Sequence, residues 1–186
     1  RPGDTVLVFP GTYAGFRVNR SGSATAPIVF RTSGIVTISS GSSTGDGIYL
    51  SNVSYITIDG FDVKNVSRSC IAARDAAATT PVTGLIIRNT TCNNAASLAG
   101  IYLSQVSNSV IANNTITGLT RYRVHGLYLA NAGSGNVIIR RNTITGVTGS
   151  DAAGIHMNGD ASVGGDGLIT GVTVESNTIG NIGFNG

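Results

Sequence analysis

The residues best equipped for chemistry in this chain are four rings that recur in one local setting. Tyr49, Tyr102, Tyr128 and His156 each follow a glycine and an aliphatic residue, in the segments GIYL, GIYL, GLYL and GIHM. If Ile48, Ile101, Leu127 and Ile155 point inward from strands, the four rings point outward, with Ala72 of CIAA taking the same place in a further copy. Aromatic rings with polar tips suit sugars, whose C–H faces stack on them. The plain alternative is a strand face rich in Tyr, a residue that strands favour whatever their function. His156 is the one imidazole of the file, a residue type that can serve as acid or base. Asp151 and Asp160 flank it in sequence.

A second group is DGFDVK. With Ile58 and Val63 inward, Asp62 and Lys64 share the outer side of one strand, Asp59 lies at the bend before it, and Arg88 falls near the level of Asp59 on the next copy. Lys64 is the only lysine, hence the only lysine base available; a surface ion pair with Asp62 accounts for the same residues without chemistry. A third stretch, NGDASVGGDG, offers Asn158, Asp160 and Asp166 as oxygen donors. Its spacing fits no calcium loop, so it reads as a Gly-rich connection.

These residues sit in a repeat. GIYLSQVSNSVIANNTITGLT (Gly100 to Thr120) and GLYLANAGSGNVIIRRNTITGVT (Gly126 to Thr148) have the same plan, and weaker copies lie on either side. Aligned, they give an inward column Ile48, Ile71, Ile101, Leu127 and Ile155. A second column is Val63, Cys92, Ile116, Ile144 and Ile179, and beside it run Phe61, Thr90, Asn114, Asn142 and Asn177. Copies recur every ~23 to 35 residues, which implies stacked units. Val, Ile and Thr dominate with period two, and Gly or Asn ends every run within about eight residues, so the units are coils of short strands. Stacking coils ~4.8 Å apart pairs every strand and lays like side chains into interior ladders. The asparagines fit a sharp left-handed bend, and stacked amides can bond to those above and below.

Composition bounds the rest. The 186 residues suit one domain, residues 1–186. Hydrophobic content is 41%, charged content only 11%, and the net charge +3. The basic residues form no run, which argues against nucleic acid as a partner. No apolar stretch is long enough for a membrane span. Cys92 reads as a small apolar filler of its column and Cys70 falls in the glycine column of another strand. Bridging them would need a change of register, so two free thiols are expected. No G-x-S-x-G, H-E-x-x-H, P-loop or C-x-x-C occurs.

GDTVLVFPGTY, followed about a dozen residues later by SGSATAPIVFRT, resembles the entry coil of secreted right-handed β-helix proteins, among them polysaccharide lyases of the pectate, alginate and chondroitin types. GIYL…ITIDGFDV and NVIIRRNTITGV resemble the generic repeats of that superfamily. The resemblance implies an all-β, right-handed, single-stranded parallel β-helix, here of about seven coils, with handedness supplied by the resemblance and not by spacing. It implies an extracellular or cell-surface setting and a polysaccharide along one outer face, bound by Tyr49, Tyr102, Tyr128 and His156.

If the chain is an enzyme, the resemblance points to a polysaccharide lyase or uronate epimerase. Lys64, Arg88 and His156 are then the candidate catalytic residues, and Asp59 and Asp62 the candidate ligands of a Ca²⁺ ion, though one pair of carboxylates underfills its shell. Such repeats also build adhesins and tailspikes. The competing expectation is therefore a non-catalytic structural solenoid of a surface fibre, a piece of a longer solenoid or a unit that associates end to end.

Overall fold

Alternating Val, Ile and Thr cut by Gly and Asn produce twenty-two short strands and no α-helix among the described residues. The computed structural model describes residues 1–74, 81–130, 134–161 and 167–183. Every pairing between strands is parallel, and each strand pairs with its counterpart one repeat away. Three sheets result. Sheet A runs from Thr5–Val8 through Ile56–Asp59 and Ile86–Arg88 to Ser134–Arg140 and beyond; sheet B runs from Gly11–Ala14 through Asp62–Val66 and Thr91–Ala95 to Thr178–Ile182. Sheet C comprises Phe16–Val18, Ile48–Ser51, Ile71–Arg74, Ala99–Ser104, His125–Ala130 and Ile155–Asn158. One strand from each sheet makes a coil. With seven strands in sheet B and six in sheet C, the stack completes somewhat fewer full turns than the seven or so expected.

The columns align as the repeats imply. Ile48, Ile71, Ile101, Leu127 and Ile155 are in register along sheet C, and Val63, Cys92, Ile116, Ile144 and Ile179 along sheet B. All but the last residue of each column are buried in one continuous apolar core. Both sides of a parallel coil thereby lose their apolar surface to the interior, at roughly 25 cal/mol per Å².

The bend between sheets A and B divides its work between two residues. Gly60, Asn89, Asn113, Arg141 and Ser176 take the left-handed conformation (φ +90, +53, +56, +54 and +54°). The next residue on each coil points inward: Phe61, Thr90, Asn114, Asn142 and Asn177. The Asn114 backbone N–H and Nδ2 both donate to Asn142 Oδ1, at 3.0 and 2.9 Å, and Asn142 repeats this pattern on Asn177 Oδ1. The Nδ2 groups of Asn114 and Asn142 also donate to the Ile87 and Ile111 carbonyls at 3.0 Å. The sharp turn thus belongs to the preceding residue, and the inward amides satisfy backbone groups that the turn would leave buried and unpaired.

Cys70 and Cys92 are not free thiols: they form a disulfide, with Cα atoms 5.8 Å apart. The reason lies across the core. Gly47, Cys70, Gly100, Gly126 and Gly154 form one column, and each glycine faces the branched side chain of the next coil in sheet B. A Cβ on Gly47 would lie 2.4 Å from Val63 Cγ1, on Gly126 2.5 Å from Ile144 Cγ2, and on Gly154 2.7 Å from Ile179 Cγ2. At the Cys70 rung both members of this facing pair are cysteine, and the bond occupies the space that elsewhere holds a branched side chain.

Candidate functional site

The ring file is a feature of sheet C. Arg17, Tyr49, Ala72, Tyr102, Tyr128 and His156 follow one another in register on six coils, facing away from the core because their neighbours Ile101, Leu127 and Leu129 face into it. Its two halves differ. The Tyr102 and Tyr128 rings are half-buried, with centres 5.4 Å apart and edge to face. Tyr49 is only 4% exposed, with the guanidinium groups of Arg17 and Arg74 5.6 and 5.3 Å from its ring centre. That ring has no open face for a sugar.

At the other end of the file the rings gather into a cleft of about 470 Å³, lined by Leu98, Arg123, His125, Tyr128, Asp151 and His156 among others. His156 meets Tyr128 at 4.8 Å and stacks on His125 at 4.2 Å with planes only 8° apart. Asn158 Nδ2 donates to Tyr128 Oη at 3.3 Å. Arg123 and Asp151, both in the left-handed region (φ +55 and +59°), reach across the cleft into an ion pair of 2.9 Å.

His125 is held as a neutral ring. Its Nδ1 accepts the Ala153 backbone N–H at 3.1 Å, which places the ring proton on Nε2. Burial, and then the neighbouring His156, push its pKa down to about 4. A neutral imidazole with an available Nε2–H and the Tyr128 hydroxyl can hydrogen-bond sugar hydroxyls, while the ring faces offer stacking surface. His125 was not legible as a site residue: alternation from Leu127 and Leu129 points it inward. The chain enters the strand at this corner, and there the ring turns onto His156.

The other sequence candidates are dispersed. Lys64 lies on sheet B, Arg88 on sheet A and His156 on sheet C, so the three do not converge. Lys64 Nζ donates to Asp62 Oδ2 at 3.2 Å, and Thr37 Oγ1 donates to the same oxygen. Arg88 Nε donates to Asp59 Oδ2 at 2.9 Å and Asn89 Nδ2 to Asp59 Oδ1 at 2.7 Å. Asp59 and Asp62 belong to different sheets, both Asp59 oxygens and Asp62 Oδ2 are already bonded, and among the described residues no three His, Cys, Asp or Glu stand together as a metal set. The pair does not fit a Ca²⁺ site. Asp151, expected to orient His156, lines the cleft but is paired to Arg123; Asp166 lies outside the described residues.

Comparison with known proteins follows this geometry. The family described as "Right handed beta helix region" matches residues 36–186. No curated protein matches the chain. Among solved structures, pectate lyase Pel9A superposes with a TM-score of 0.65 at 15% identity, over 81% of this chain and 41% of the lyase. The chain therefore spans about two fifths of that protein's length. An alginate lyase from Paenibacillus sp. str. FPU-7 aligns over 98% of this chain and 90% of its own, at 17% identity and a TM-score of 0.47. With its all-parallel coils and the family match over residues 36–186, the chain belongs to the right-handed β-helix family.

Proposed function

We propose that the chain is a polysaccharide-binding β-helix domain that holds a polymer along the outer face of sheet C, from Tyr102 through Tyr128 to His156 and His125. The observation that carries this reading is the set of half-buried rings Tyr102, Tyr128 and His156 on three successive coils, the last two lining one cleft. Such rings supply stacking faces at coil spacing, and the cleft adds hydrogen-bonding groups that orient a sugar. The solved structure it resembles at a TM-score of 0.65 is a pectate lyase; at 15% identity that likeness supports the fold, and the rings support the ligand. The Cys70–Cys92 disulfide supports work outside the cell, where such bonds persist.

A second reading, a structural solenoid without chemistry, is favoured by one observation: Asp59, Asp62, Lys64 and Arg88 are bound to one another in surface pairs. One experiment separates the two. The purified chain is titrated calorimetrically with neutral, uronate-bearing and sulfated polysaccharides, and ultraviolet absorbance is followed for an unsaturated product. Saturable binding supports the proposal, and a product would add elimination to it and direct attention to Lys64, Arg88 and His156. No binding to any polymer would leave the structural solenoid.

A further inference from the structure

Sheet C carries a second polar cluster, at the end of the ring file away from the histidine cleft. Arg17 stands opposite Tyr49, and Arg74 opposite Ser51, on three successive coils. Arg17 Nη2 donates to Ser51 Oγ at 2.8 Å, and Arg74 Nε donates to Tyr49 Oη at 3.3 Å. Their guanidinium groups stand 5.6 and 5.3 Å from the centre of the Tyr49 ring. Tyr49 and Ser51 are buried, Arg74 is half-buried and Arg17 is open to solvent.

Two cations beside one phenol call for a physical reason. Arg68, Arg88 and Arg123 each face a carboxylate, from Asp46, Asp59 and Asp151. Among the described residues no carboxylate pairs with Arg17 or Arg74. Each commits one N–H of its fork to the contacts above, and a guanidinium has several more to offer. The setting favours negative charge. Burial would raise the Tyr49 pKa, yet hydrogen bonds with Ser51 and Arg74, and the charges of Arg74 and Arg17, bring it below its ordinary value.

We propose that Arg17 and Arg74, with Ser51 and Tyr49 between them, form an oxyanion site that takes a sulfate, phosphate or carboxylate group. The planar fork of a guanidinium matches such oxygens two at a time, and two forks on the coils either side of the Tyr49 and Ser51 rung approach one anion from two sides. On the polysaccharide reading, on which this step rests, the anion is a substituent of the bound polymer. Tyr49 and Tyr102 are two rungs apart, ~10 Å, so one polymer chain reaches both the oxyanion site and the half-buried rings.

The test begins with inorganic phosphate and sulfate, titrated into the wild-type chain and followed by the NMR signals of the arginine side chains. Saturable binding is expected, together with a rise in the Tyr49 pKa in the ultraviolet titration, because a bound anion opposes the phenolate. Arg17→Met and Arg74→Met should each weaken phosphate binding by about tenfold or more. Arg17 is exposed, so its variant reports on binding even if Arg74→Met fails to fold. Arg17→Lys keeps the charge but loses the fork and should fall between. Absence of saturable binding by either ion, or unchanged binding in the Arg17 variants, overturns the site. Uronate-bearing and sulfated polymers are then set in competition with phosphate, with a neutral polymer as the control. Displacement by a charged polymer supports the substituent assignment. Phosphate binding that no polymer displaces keeps the oxyanion site for a free ion and removes the polymer from it. Polymer binding that needs Tyr102 and Tyr128 but neither arginine keeps the reading of sheet C and removes the polymer from this site.

Discussion

His156 lies flat on His125, 4.2 Å away and 8° from parallel, so the outermost ring of the file and the first residue of the strand one coil below make a single surface. A charge on His125 would be opposed by burial and by the imidazole of His156 stacked on it. The stack therefore ties the shape of the cleft to protonation.

His125 titrates in the folded chain at about 4 against an ordinary 6.5. Its folded pKa is depressed, so its contribution to stability is full above 6.5 and is lost as pH falls toward 4. Thermal stability should be flat above neutral pH and decline across that window, while polymer affinity should hold until pH approaches 4. His125→Asn can keep an acceptor for the Ala153 N–H without titrating, and it should show a smaller decline. Thermal melts and affinities at several pH values decide the matter; equal declines in both proteins would assign the effect to other groups.

The disulfide pair replaces a glycine and a branched residue that face each other elsewhere in the stack. Losing the bond should cost about 3 kcal/mol. Cys92→Val alone should cost a further 1 to 3 kcal/mol or so, because the new methyl groups meet the Cys70 side chain. The double variant Cys70→Gly, Cys92→Val reproduces the Gly47 and Val63 arrangement and should recover that second part. Denaturant melts under oxidising conditions should rank wild type above the double variant, and the double variant above Cys92→Val.

Asn142 is 1% exposed and stands in the middle of the amide stack. Asn142→Ala leaves the Ile111 carbonyl and the Asn114 backbone N–H without their partner, at a cost of about 3 kcal/mol. Asn136→Gly, at an exposed site with φ +52°, should stay within about 0.5 kcal/mol of wild type. Melts of the two variants check the contrast.

Much of this fold was legible. Period two, the β-branched runs and the punctuating Gly and Asn specify stacked coils, and the register of Tyr102, Tyr128 and His156 follows from aligning three short segments. Whatever crosses between columns was harder to read. Along their own ladders Cys70 and Cys92 each read as a small residue with no partner. The telling signal was that both are exceptions at one facing pair, visible only once Gly47 is set against Val63 and Gly126 against Ile144. The closing of Tyr49 depends on arginines from neighbouring rungs, and the place of His125 depends on a corner where alternation lapses. Handedness leaves no mark in the spacing.

The central claim is that the half-buried rings of sheet C hold the polymer. Its most direct test is the affinity of the tightest-binding polysaccharide for the wild type, Tyr102→Ala, Tyr128→Ala and Thr115→Ala, the last on the outer face of sheet B. The account predicts that each tyrosine variant loses about 1 kcal/mol, roughly fivefold in Kd, with an unchanged circular dichroism spectrum, and that Thr115→Ala binds as wild type does. Wild-type affinity in both tyrosine variants, or an equal loss in Thr115→Ala, would contradict it.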